Sequence, residues 1–136
     1  MELKRISKWA VIFGTILIWT VKFGIRPLHA VEGSGRFLLG IAPNLVGSFL
    51  IPFGAFWFFY GKRFFMARIF RIHSFNDLRN VCLIGFGLLV INEYLQLIPI
   101  FGRTFDYYDI FFSMIGLSGA YFVFGRLMNS YSAVAD

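Results

Sequence analysis

Phe37 to Gly61 is a run of 25 residues without a single charge, and no other feature limits the fold of this chain as tightly. A helix over that run rises about 37 Å, enough to cross a hydrocarbon core of about 30 Å. Three more apolar runs follow the same logic. Ile110 to Gly125 has 16 uncharged residues, Trp9 to Val21 has 13, and Asn80 to Gly102 carries one charge, Glu93. Four such segments within 136 residues, 58% hydrophobic and 15% charged, read as a polytopic membrane protein. A soluble domain carries roughly 25% charged residues. The expected fold is an all-α bundle of four membrane helices, forming one domain over 1–136. These residues leave no room for a separate catalytic domain, dinucleotide-binding unit or zinc module. The lone Cys82 lies in an apolar run and reads as a buried thiol. The net charge of +6 comes from bases that flank the spans, where topology and anionic headgroups call for them, so nucleic acid is not expected as a partner.

The spans are expected at about 8–25, 37–60, 77–98 and 106–128. Lys4, Arg5 and Lys8 precede the first, but a small-residue cleavage site is lacking, and Lys22 and Arg26 bracket its far end, as in an uncleaved helix. Pro52 predicts a kink in the second span. Ser74 and Asp77 have the spacing of a capping box opening the third, and Pro99 stops it. Between the second and third spans, Phe65, Ile69 and Ile72 fall on one helical face and Arg68 and Arg71 on another. This predicts a short interfacial helix or an extension of the second span. Nine Lys and Arg flank one side of the proposed topology and four the other. Both termini and the 61–80 loop are therefore expected in the cytoplasm, with 22–36 and 102–109 outside.

Ionisable groups within spans are functional candidates, because each costs roughly 2.5–3.5 kcal/mol at a helix centre. Glu93 is the main one, eight residues from the outer end of a span reaching residue 101, or about 12 Å deep. Gln96 follows at i+3. Asn44 is expected at a similar depth on the second span, with Ser48 one turn deeper. Arg103, Asp106 and Asp109 follow in the outer connection, and Asp109, Ser113 and Gly116 share a face of the fourth helix. The spacing predicts one outward-facing polar pocket. The plainer alternatives are that Asp106 and Asp109 serve as helix cap and first-turn acid, that Arg103 neutralises them, that Gly116 permits close packing, and that Asn44, Ser48 and Gln96 are interhelical glue.

The second block, Glu93-Tyr94-Leu95-Gln96, then Gly102-Arg103-Thr104-Phe105-Asp106-Tyr107-Tyr108-Asp109, then Ser113-Met114-Ile115-Gly116, resembles the signature of the VanZ-like family. These are small polytopic bacterial membrane proteins named after a protein associated with teicoplanin resistance. The segment from Asn44 to Gly54 resembles the family's Asn-rich stretch leading into Pro-x-Gly. Ser48 and Ser113 stand where the family usually has asparagine, which exchanges a bidentate amide for a hydroxyl. The resemblance implies a cell-envelope role in the bacterial cytoplasmic membrane and, in some relatives, altered glycopeptide sensitivity. It supplies no reaction.

The leading expectation is a non-enzymatic envelope protein whose pocket binds the polar headgroup of a lipid-linked intermediate. Arg103 would hold a phosphate or carboxylate, Glu93 and Gln96 would form the inner wall, and Asp106 with Asp109 would accept hydroxyls or bridge a divalent cation. No resident cofactor or metal is otherwise expected. A second expectation is a structural subunit of a larger membrane complex, with partners among other membrane proteins. A third is a membrane-embedded hydrolase or transferase with Glu93 or Asp109 as general base, which lacks a nucleophile paired with a base.

Overall fold

The computed structural model describes residues 2–25, 33–98 and 105–132. Among them the chain is all-α, and four helices are long and apolar enough to cross a membrane: Glu2–Ile25, Ser34–Phe59, Phe75–Leu95 and Tyr107–Tyr131.

Helix α1 spans Glu2–Trp19 and begins six residues before the expected start. The apolar run limits where a helix can sit in lipid, not where it can begin in water, and an Arg5–Glu2 pair at 2.9 Å decorates the added turn. The helix continues as a π-helical turn over Thr20–Ile25. Where it begins, the Thr20 hydroxyl donates to the Ile16 carbonyl at 2.9 Å, sharing an acceptor of the α-helical ladder.

The second span is two helices, α2 over Ser34–Phe49 and α3 over Ile51–Phe59, broken at Leu50 as Pro52 predicts. Proline has no N–H and restricts the residue before it, so the new helix restarts with Pro52 in its first turn. A short helix, α4, covers Phe65–Phe70. It differs from the expected amphipathic face in one respect. The helix stops at Phe70, Arg71 is extended, and Ile72 turns into the core at 1% exposure while Phe65 stays 74% exposed. Helix α5 spans Phe75–Leu95 and opens on the expected capping box. Ser74 Oγ accepts from the Asp77 N–H at 3.2 Å, and Asp77 Oδ2 accepts from the His73 and Ser74 N–H groups at 3.0 Å each. Helix α6 spans Tyr107–Ser132.

Ring contacts fix the register. Phe37 meets Tyr108 and Phe112 edge-on at 5.6 and 6.3 Å, and Phe53 meets Phe124 at 5.1 Å, so the α2–α3 span runs parallel to α6 with a constant offset. Helix α5 runs antiparallel to α6: Gly125 lies against Phe75 at one end, and Tyr94 packs on Phe105 at 5.3 Å at the other. A buried core of Phe53, Phe56, Leu78, Val81, Ala120 and Phe124 fills the half of the bundle near α4, called here the basic end. Outside it, large apolar side chains such as Phe13, Trp19, Leu83 and Phe122 are exposed all round the bundle. Such a surface would aggregate in water and suits acyl chains.

Candidate functional site

The polar residues singled out by sequence divide between two heights. At the far end from α4, called here the acidic end, Glu93 is buried at 7% exposure, and its Oε1 accepts from Gln96 Nε2 at 2.7 Å. The i+3 spacing delivers this contact because Gln96 caps α5 and its N–H continues the last turn to the Glu93 carbonyl at 3.1 Å. That turn carries on as i→i+3 bonds from Leu97 and Ile98. The α-helix itself ends at Leu95, and Glu93 lies in its last turn, about 3 Å from the helix end, while residue 101, from which its depth was reckoned, lies outside the described residues. Position near the end of a span lowers the cost of holding a carboxylate there.

Asp106 directly precedes α6 and acts as its cap. Its Oδ1 accepts from the Tyr108 N–H at 2.9 Å, and its carbonyl accepts from the Asp109 N–H at 3.1 Å. Asp109 is half-buried in the first turn, where the macrodipole favours an acid. With Tyr94 packed on Phe105, Glu93 stands close to the height of that first turn. Gly102, Arg103 and Thr104 lie outside the described residues.

The second group lies deeper. Ser48 is 1% exposed and donates to the Leu45 carbonyl at 3.0 Å. Gly116 is set against it so closely that a Cβ there would fall on Ser48 Oγ and the Leu45 carbonyl oxygen. Ser113 is buried one turn up α6 at 4% exposure. Asn44 is half-buried on α2, one turn from Ser48. On the antiparallel pair formed where Gly85 of α5 lies against Ile51 of α3, Asn44 and Glu93 lie seven and eight residues toward the acidic end. The structure thus joins Glu93 to Gln96 and the Ser48 region to Gly116. The close approach of Ser48 and Gly116 follows the expectation that this glycine permits helix packing.

Sequence reasoning passed over Ser7, which is fully buried on α1, with no hydrogen-bond partner for its hydroxyl among the described residues. The signal was a stripe of small residues, Ser7, Ala10 and Gly14, the last packed against Leu50. It also passed over a hollow at the basic end, lined by Lys62, Arg63, Phe64, Arg68 and Arg71, whose bases it had read as topology signals and as the polar face of an interfacial helix. No group of three or more potential metal-ligating side chains lies together among the described residues. Comparison with known proteins gives no match to any family model, curated protein or solved structure.

Proposed function

We infer that this multi-pass membrane protein is a VanZ-like component of a bacterial cytoplasmic membrane that binds the polar headgroup of a lipid-linked envelope intermediate at its acidic end, facing outward. The observation that supports this reading is Glu93, a carboxylate 93% out of contact with solvent and oriented by Gln96, at the height of the first turn of α6. A buried acid with a dedicated amide partner is an acceptor set for hydroxyls of a ligand, and Arg103 is the base nearest in sequence for its phosphate. The second reading, a structural subunit whose polar residues lock the helices, is favoured by the tight seat of Gly116 on Ser48 and Leu45.

The test uses Glu93→Gln, Arg103→Ala and Asp109→Asn beside wild type in one detergent, reading thermal stability and binding of a lipid-linked phosphosugar. The expected outcome is wild-type stability or better with binding reduced about tenfold, the loss of one charge-assisted hydrogen bond. Joint loss of folded protein in all three variants sinks the ligand reading and leaves the structural one.

A further inference from the structure

At the basic end, the hairpin between α3 and α5 forms a hollow of about 280 Å³ lined by Lys62, Arg63, Arg68 and Arg71 around Phe64. No acid lines it. Four like charges around one concavity repel each other unless an anion sits among them. The hairpin is also held firmly. Ala67 and Ile72 are buried, Phe70 stacks on Phe59 at 5.4 Å, and Lys62 Nζ is seated over the Phe58 ring at 3.9 Å.

The hollow does not end there. Arg68 also lines a second cavity of about 450 Å³ with Ile69, Leu83 and Ile84, and Leu83 in turn lines a third of about 550 Å³. This third cavity is apolar, running between α5 and α6 past Phe86, Met114 and Phe122. Arg68 and Leu83 stand between neighbouring cavities, so a cationic head adjoins an apolar trough along the bundle. Asp77 also lines the second cavity, and its carboxylate, which accepts from two backbone N–H groups, is one acid against the four bases of the head.

We propose that these adjoining cavities form a specific site for an anionic phospholipid of the surrounding leaflet, its phosphate among Lys62, Arg63, Arg68 and Arg71 and one acyl chain laid over Leu83 into the α5–α6 trough. The charge of the hollow selects a net-negative headgroup over a zwitterionic one, and the trough selects a lipid over free phosphate. The exposed Phe65, Met66 and Ile69 place α4 at the boundary between headgroups and chains, where such a lipid arrives laterally.

The experiment is native mass spectrometry of the full chain, delipidated and then titrated with dioleoyl phosphatidylglycerol, dioleoyl phosphatidylcholine or inorganic phosphate. Wild type is expected to retain the glycerol lipid at about a tenfold lower concentration than the choline lipid, with millimolar phosphate failing to displace it. Arg68→Gln with Arg71→Gln should abolish that preference, while Arg126→Gln, at an exposed base that does not line the hollow, keeps it. Leu83→Trp, at a residue already 62% exposed, should weaken retention of the dioleoyl lipid and leave a dihexanoyl phosphatidylglycerol unaffected. Should the double variant melt early, Lys62→Gln carries the same test at an exposed side chain. Equal retention of the two dioleoyl lipids, displacement by phosphate alone, or a preference unchanged in the folded arginine variant overturns the proposal.

Discussion

At Gly116 the backbone of α6 comes so near to α2 that an added methyl group would displace the Leu45 carbonyl or force the helices apart. Gly116→Ala is therefore expected to lower stability by about 1–3 kcal/mol, the usual range for overpacking, despite alanine's better helix propensity. Gly119 is its control. A Cβ there would meet the Phe49 ring at 3.7 Å, an ordinary contact, so Gly119→Ala should stay within about 0.5 kcal/mol of wild type. Unfolding of the three proteins in mixed micelles decides it, and equal stabilities would remove the close approach. The same packing bears on Ser48: with 1% exposure and Gly116 against its hydroxyl, the larger amide of Ser48→Asn should also destabilise. The Ser113-x-x-Gly116 spacing was legible in the sequence because residues three apart share a helix face. That Ser48 is what Gly116 faces was not, since which helices pair is decided by the packing of whole faces. The Glu93–Gln96 bond was legible for the same local reason, whereas the end of α5 was not, because it depends on a cap formed by Gln96 itself.

The four spans were readable as elements because lipid imposes a length and an apolarity that charge-free runs announce. Their ends were less so, since Lys4, Arg5 and Lys8 sit on a helix that simply continues into water. Two breaks carried their own chemistry in the sequence, Pro52 at the α2–α3 break and the Ser74–Asp77 box opening α5. The box is the better test of how far one cap holds an element. Asp77 takes the N–H groups of both His73 and Ser74, and these residues join the anchored Ile72 to the first turn of α5. Asp77→Ala should cost about 1 kcal/mol and raise amide exchange over residues 74–78, leaving the far end of α5 protected. Uniform exchange along the helix would mean that burial of Leu78 and Val81, and not the cap, sets where α5 begins.

Across the whole molecule, an even number of spans puts both termini on one side and separates two chemically distinct ends. One holds Lys62, Arg63, Arg68 and Arg71 around α4, and the other holds Asp106, Asp109 and Glu93. The excess of nine bases over four predicts a cytoplasmic position for the first, because short basic loops resist translocation. This orientation can be read directly. In a Cys82→Ser background, which removes the single native thiol, Lys62→Cys and Tyr107→Cys each place one thiol at an exposed position on opposite ends. A membrane-impermeant maleimide added to intact cells should label the Tyr107→Cys protein and spare the Lys62→Cys protein until the membrane is opened. The reverse pattern would invert the molecule, turn Glu93 and Asp109 toward the cytoplasm, and deprive the acidic end of any ligand presented on the outer face. Labelling of both in intact cells would instead mean that two populations insert with opposite hands, which a difference of five bases over such short loops is expected to prevent.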